Sequence, residues 1–225
     1  MKLDEKILEI ESRVRNSEIV LIGTGDYHKT YFDTVVPLVK NDGLWLEFGV
    51  YRGRSIQTIS GKINNKIYGF DTFTGLPEHW DVNNPKGCYS VGGGIPPGAI
   101  VGTNQSMYDP SPTINYEPWN DNVILTEGLI EDTLVPFLND HEGDVAFLHI
   151  DTDIYSACSF VLTTLRDRIV DGTIICFDEL LDYPDYKEHE LKAFAEFLIE
   201  TNYDFDPLVQ HSDNYSQACV RIKTK

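Results

Sequence analysis

Apolar positions along the 225-residue chain change their rhythm several times, and each change marks an element. Leu3, Ile7, Leu8, Ile10 and Val14 share one face of a 3.6-residue repeat, which predicts an opening amphipathic helix. Residues 29–40 read as a second helix. From Leu44 the pattern becomes short apolar runs separated by helical stretches: LWLEFGV, RSIQTISGKI and KIYGFD, then NVILT (122–126), VAFLHID (145–151) and TIICFD (173–178). Runs this uniformly apolar suit strands covered on both faces, and their alternation with helices predicts parallel βαβ units.

Between the later strands lie LIEDTLVPFL and YSACSFVLTTLRDRIV, whose Tyr155, Cys158, Val161, Leu162, Leu165 and Ile169 form a core stripe. Leu191, Phe194, Ala195, Leu198 and Ile199 predict another helix after Tyr186. FDPLV and SQACVRIK, where Val220 and Ile222 alternate with Arg221 and Lys223, read as a half-exposed antiparallel edge pair. The fold class expected is α/β: a Rossmann-like, mostly parallel seven-stranded sheet with an antiparallel C-terminal hairpin and helices on both faces. A single domain over 1–225 is expected, with residues 1–43 as an N-terminal helical cap.

Residues 79–121 break the rhythm. Glycines 87, 92, 93, 94, 98 and 102 and prolines 85, 96, 97, 110, 112 and 118 leave no room for a regular element, and a loop this long in a compact domain reads as an inserted lid. Trp80, Tyr89, Tyr108, Tyr116 and Trp119 either cover a ligand or pin the loop to the body.

Charge narrows the classes of partner. With 18 Lys+Arg against 36 Asp+Glu the formal charge is −18, so a polyanion would be repelled and nucleic acid is not an expected partner. No stretch approaches a membrane span, and the charged N-terminus reads as a helix rather than a leader, which makes cytoplasmic localisation the expectation. Cys88, Cys158, Cys176 and Cys219 are widely spaced and read as free thiols.

Three constellations carry the candidate chemistry. Gly49 and Gly53 lie in the turn from a core strand into a helix, where backbone can approach a ligand. Asp71 ends the next strand, placed to accept ribose hydroxyls, and together these point to an adenosyl group. The G-x-G-x-x-G spacing of a dinucleotide site is absent, which favours S-adenosylmethionine over NAD. Gly23-Thr24-Gly25 upstream lacks the third glycine and reads as a turn before a helix. Finally Asp151, with Asp153 two residues on, and Asp178-Glu179 sit at strand ends on the same sheet edge, an oxygen set suited to Mg²⁺ or another hard divalent cation. Asp153 could instead N-cap the following helix. His149 reads as a core residue, with His79 and His211 as outside candidates for a base.

LEFGVYRGRSI, YGFDTFTGLPE, EGLIEDTL, HIDTDIYSA and the acid pair in CFDEL, in this order, resemble the macrocin O-methyltransferase family, which methylates sugar hydroxyls of natural products. The resemblance implies a class I methyltransferase fold and cofactor contacts from Glu47, Gly49, Tyr51, Gly53, Ser55, Asp71, Thr72 and Gly128. It also implies Mg²⁺ on Asp151, Asp178 and Glu179, the last standing where the family usually has Asp. The expected reaction is Mg²⁺-assisted methyl transfer to a small-molecule hydroxyl acceptor, a sugar or glycosylated natural product, with Asp151 as candidate base. A catechol-like acceptor, a non-catalytic cofactor-binding module and a homo-oligomer built on the N-terminal helices remain open at this point.

Overall fold

The computed structural model describes residues 2–21, 27–100, 115–211 and 216–224. Its helices are α1 (Leu3–Arg15), α2 (Tyr27–Val35), α3 (Arg54–Ser60), α4 (Ile130–Asp140), α5 (Tyr155–Thr164) and α6 (Glu190–Thr201). The main sheet contains β1 (Ile19–Leu21), β2 (Leu44–Phe48), β3 (Ile67–Asp71), β6 (Val123–Glu127), β7 (Val145–Ile150), β8 (Ile169–Leu181), β9 (Asp204–His211) and β10 (Ser216–Lys223). Its order is β1-β9-β10-β8-β7-β2-β3-β6, and only β10 runs against its neighbours. No helix among the described residues is long and apolar enough to cross a membrane.

Alternate residues of the central strands feed two cores, which is why those strands carry almost no polar side chains. Leu46, Phe48, Leu148, Ile150, Ile175 and Phe177 face α1, α4, α5 and α6. Trp45, Phe147, Ile174 and Cys176 face α2 and α3, with Trp45 stacked on Phe147 at 4.9 Å between ring centres. Two polar residues interrupt this second face: Glu47 and His149, both fully buried and opposite one another in register on β2 and β7.

Two expectations about strands need correction. The apolar run before Gly23 does more than lead into a turn: Ile19–Leu21 pairs in parallel with β9 and adds an eighth strand. Consequently FDPLV and SQACVRIK are not a half-exposed edge pair, since β10 lies between β8 and β9 with Ala218, Cys219, Val220 and Ile222 buried. The alternating charges end on neighbours instead, Lys223 on Asp206 at 2.7 Å and Arg221 on the Leu38 carbonyl at 3.4 Å.

The Gly/Pro-rich segment also contains regular structure. β4 (Gly98–Ile100) and β5 (Tyr116–Pro118) form a small antiparallel ribbon, and the Ile100 amide donates to the Arg52 carbonyl at 2.9 Å. Gly102, Tyr108, Pro110 and Pro112, like Gly23-Thr24-Gly25, lie outside the described residues. Cys158, Cys176 and Cys219 are buried free thiols and Cys88 is half-buried, as expected.

Candidate active site

The carboxyl ends of β2, β3, β7 and β8 open into a cavity of about 770 Å³, within the range of small-molecule sites. Gly49, Tyr51, Ser55, Asp71 and Thr72 line one side, and Asp151, Asp153, Asp178 and Glu179 line the other.

Backbone geometry joins the two sides. Gly49 has φ +86°, and a Cβ there would lie 1.7 Å from the Asp151 carbonyl oxygen. The turn after β2 and the end of β7 can therefore touch only if this residue is glycine. Gly53, at φ +78°, serves the lid: its Cβ would fall 2.1 Å from the Trp119 ring. The Trp119 indole N–H donates to the Pro96 carbonyl within the loop at 2.9 Å, and its ring against Gly53 pins the loop to the body. Trp80, buried edge-on against Tyr183, does the same. Tyr89 instead lines the cavity, edge-on to Tyr51 with ring centres 5.6 Å apart.

Asp71 lies at the expected strand end and already carries three backbone hydrogen bonds. Oδ2 accepts from the Val50 and Tyr51 amides, each at 2.7 Å, and Oδ1 accepts from Phe73 at 2.6 Å. A carboxylate has about four lone-pair sites, so this one shapes the glycine turn and keeps roughly one acceptor site for a ligand. Thr72 lines the wall while its hydroxyl donates to the Gly75 carbonyl at 3.0 Å. Glu47, Gly53 and Gly128 stand behind the wall rather than on it. Glu47 accepts from the Ser55 hydroxyl at 2.8 Å and pairs with His149 at 3.1 Å. Gly128, at φ +141°, carries the chain from β6 toward α4 and donates to the Asp71 carbonyl at 2.9 Å.

On the acidic side, Asp151, Asp153 and Glu179 offer carboxylate oxygens that all lie within 4.8 Å of one another. His149, Asp151 and Asp178 form a second such group, so Asp151 belongs to both. Asp153 does not cap the next helix: the residue before α5 is Ile154, and no side-chain capping bond forms. Its backbone instead adopts a left-handed conformation (φ +63°), and its buried carboxylate joins the cluster.

Crowding of acids shows in their proton affinities. Burial, then the charges of Asp178 and Asp71, pushes Asp153 up to about 8. Burial and neighbouring carboxylates also raise Asp151 and Glu179 well above the ordinary carboxylate range. Asp178 goes the other way. Burial opposes its charge, but the attraction of His149 outweighs burial and holds it low. His149 is correspondingly raised, burial being overcome by Asp178 and Glu47. It is thus more than a satisfied core histidine, because it stands between two buried acids beneath the site.

The residues fit a hard cation. The donor set of Asp151, Asp153 and Glu179 is all oxygen, and Glu179 Oε2 is buried without a hydrogen-bond partner. Asp178, expected as a ligand, reaches the same wall but is also held by Gln217, which donates to its Oδ1, and by His149 Nε2 at 3.8 Å. Glu190, the first residue of α6, is a further buried acid; its Oε1 accepts from the Thr152 amide at 3.4 Å. His28 of α2 lines the cavity, whereas His79 and His211 are not among its lining residues. Nothing in the sequence pattern singles out Glu190, Gln217 or His28, because each reaches the site only through tertiary packing.

Comparison with known proteins gives a consistent result. The family model described as Macrocin-O-methyltransferase (TylF) matches residues 32–197. Among curated proteins no significant sequence match is found. Among solved structures, the calicheamicin methyltransferase CalS11 is similar with a TM-score of 0.62 at 21% identity, covering 97% of this chain and 91% of that one. The O-methyltransferase NovP follows at 0.54 and 17%, covering 88% and 78%. An O-methyltransferase from Bacillus cereus in complex with SAH gives 0.53 and 13%, covering 99% and 90%. At these identities the structural likeness speaks for the fold.

Proposed function

The chain belongs to the macrocin O-methyltransferase family and is an S-adenosylmethionine-dependent O-methyltransferase; from that premise we propose that a divalent cation, Mg²⁺, assists it and that its acceptor is a hydroxyl of a sugar or glycosylated natural product. The observation that carries the metal-assisted reading is the all-oxygen cluster of Asp151, Asp153 and Glu179 beside the glycine turn. The relative CalS11 is a TDP-rhamnose 3'-O-methyltransferase, which supports a sugar hydroxyl as the acceptor.

S-adenosylmethionine, when bound, supplies an electrophilic methyl group. Asp151, Asp153 and Glu179, with Asp178 beside them, would hold the cation, whose charge would lower the acceptor hydroxyl's pKa. The rest is work for the chain. The turn from Gly49 to Ser55 and the remaining acceptor site on Asp71 orient the adenosyl end, while Tyr89 and Ile100 of β4 form part of the cavity wall. Asp151 stands at the junction of the two halves and is the proposed acceptor of the hydroxyl proton.

The test is methyl transfer from labelled S-adenosylmethionine to a panel of glycosides, nucleotide sugars and catechols, with excess Mg²⁺ or with EDTA. The reading expects a methylated sugar hydroxyl, with turnover lost in EDTA and restored by Mg²⁺. Transfer to catechols alone, or turnover indifferent to chelation, would contradict it.

A further inference from the structure

A line of buried polar side chains crosses four adjacent strands beneath the cavity. It begins at the first turn of α3, where the Ser55 hydroxyl donates to Glu47 Oε1 on β2 at 2.8 Å. Glu47 Oε2 pairs with His149 Nδ1 on β7 at 3.1 Å. His149 Nε2 faces Asp178 Oδ1 on β8 at 3.8 Å, and Gln217 on β10 donates to that same oxygen. Glu47 and His149 are fully buried, and Ser55, Asp178 and Gln217 are each less than a tenth exposed.

Two features set this line apart from ordinary core packing. An apolar filler of similar volume usually serves a fold as well as a buried ion pair or better, so two acids and an imidazole in an aromatic-lined core call for another role. The second feature is its one loose joint. At 3.8 Å the His149–Asp178 contact is too long for a hydrogen bond, and His149 Nε2 has no other partner. A small rotation of the Asp178 carboxylate closes the joint and also changes which oxygen Asp178 turns toward the cavity.

We propose that His149 is a positioning residue that couples the cofactor turn to the carboxylate cluster, so that occupation of either site favours occupation of the other. The inference rests on the metal-assisted reading above. Order imposed on the start of α3 passes through Ser55 and Glu47 to the imidazole, which then fixes Asp178; by linkage the effect is reciprocal. His149 and Glu47 do not line the cavity, although a ring nitrogen of His149 lies within 4.8 Å of carboxylate oxygens of Asp151 and Asp178.

Calorimetry of S-adenosylhomocysteine binding, in Mg²⁺ and in EDTA, tests this with wild type and His149→Gln, whose amide cannot span both carboxylates. Wild type is expected to bind on the order of tenfold more tightly in Mg²⁺, a typical allosteric coupling. In the variant that ratio falls toward one while binding in EDTA persists. An unchanged ratio in the variant overturns the proposal. Should the variant not fold, imidazole ¹⁵N resonances of wild-type His149 provide the second reading: S-adenosylhomocysteine added in EDTA is expected to shift them, and unmoved signals overturn the proposal. Wild type that binds the ligand equally with and without metal removes the coupling and leaves the methyltransferase assignment standing. Wild type that does not bind it at all removes both.

Discussion

Asp151 and Asp153 are two residues apart, yet the chain gives them different surroundings. Asp151 lies against the glycine turn at the mouth of the cavity, and Asp153 is turned inward by a left-handed backbone. Replacing Asp151 with Asn removes a proton acceptor and an anionic cation ligand but keeps the shape. Turnover should fall by on the order of 10²–10⁴, while S-adenosylhomocysteine binds in EDTA about as before; a variant with near wild-type kcat would contradict the assignment. Asp153 bears on stability. Its carboxyl ionises at 3.8 when unperturbed and at about 8 in the folded protein, so between those values the folded state holds a proton that the unfolded chain has lost. The stability this contributes is complete below the lower value and is lost as pH rises through the upper one. Asp151, Glu179 and His149 are raised as well and act in the same direction. Asp178 is lowered, and its opposite effect falls below pH 4. The metal-free protein should therefore melt at progressively lower temperature from pH 5 to 8, and saturating Mg²⁺ should flatten that slope. A melting temperature that rises over this range in EDTA would refute the reading of the cluster. Part of this was legible in the sequence: Asp151, Asp178 and Glu179 stand out as acids at the ends of apolar strands. Asp153 was ambiguous because a residue just before a helix can cap it, and only the backbone conformation decides. Glu47 matches a family cofactor contact in sequence, yet its side chain turns toward His149.

At the level of elements, the lid illustrates what composition can and cannot convey. Clustered Gly and Pro correctly mark an irregular stretch, but they hide the ribbon of β4 and β5, whose three-residue strands are too short to show a period. Trp119 anchors that ribbon on Gly53, at the base of the cofactor turn. Trp119→Ala should cost about 1–3 kcal/mol of stability, since the ring is only half-buried. It should also raise the KM for S-adenosylmethionine more than it lowers kcat. A variant with unchanged KM and melting temperature would detach the lid from the cofactor turn. The extra strand β1 and the interior position of β10 escaped the hydrophobic pattern for a related reason. Three residues are too few to show a period, and alternating charges on β10 look like an edge until their partners Asp206 and Leu38 are known.

For the whole molecule, parallel topology brings strand ends distant in sequence to one edge, and a −18 chain gathers a notable share of its buried acids there. That convergence could be inferred from the order of elements alone. The side chains linking the halves, His149 and Gln217, could not, because a histidine or glutamine inside a strand carries no signature of its neighbours. The most direct measurement is anomalous scattering from crystals grown with Mn²⁺ and S-adenosylhomocysteine. The account predicts one ordered ion bounded by Asp151, Asp153 and Glu179, next to ligand seated on the turn at Gly49. Ligand in that seat with no ion among those carboxylates would contradict it.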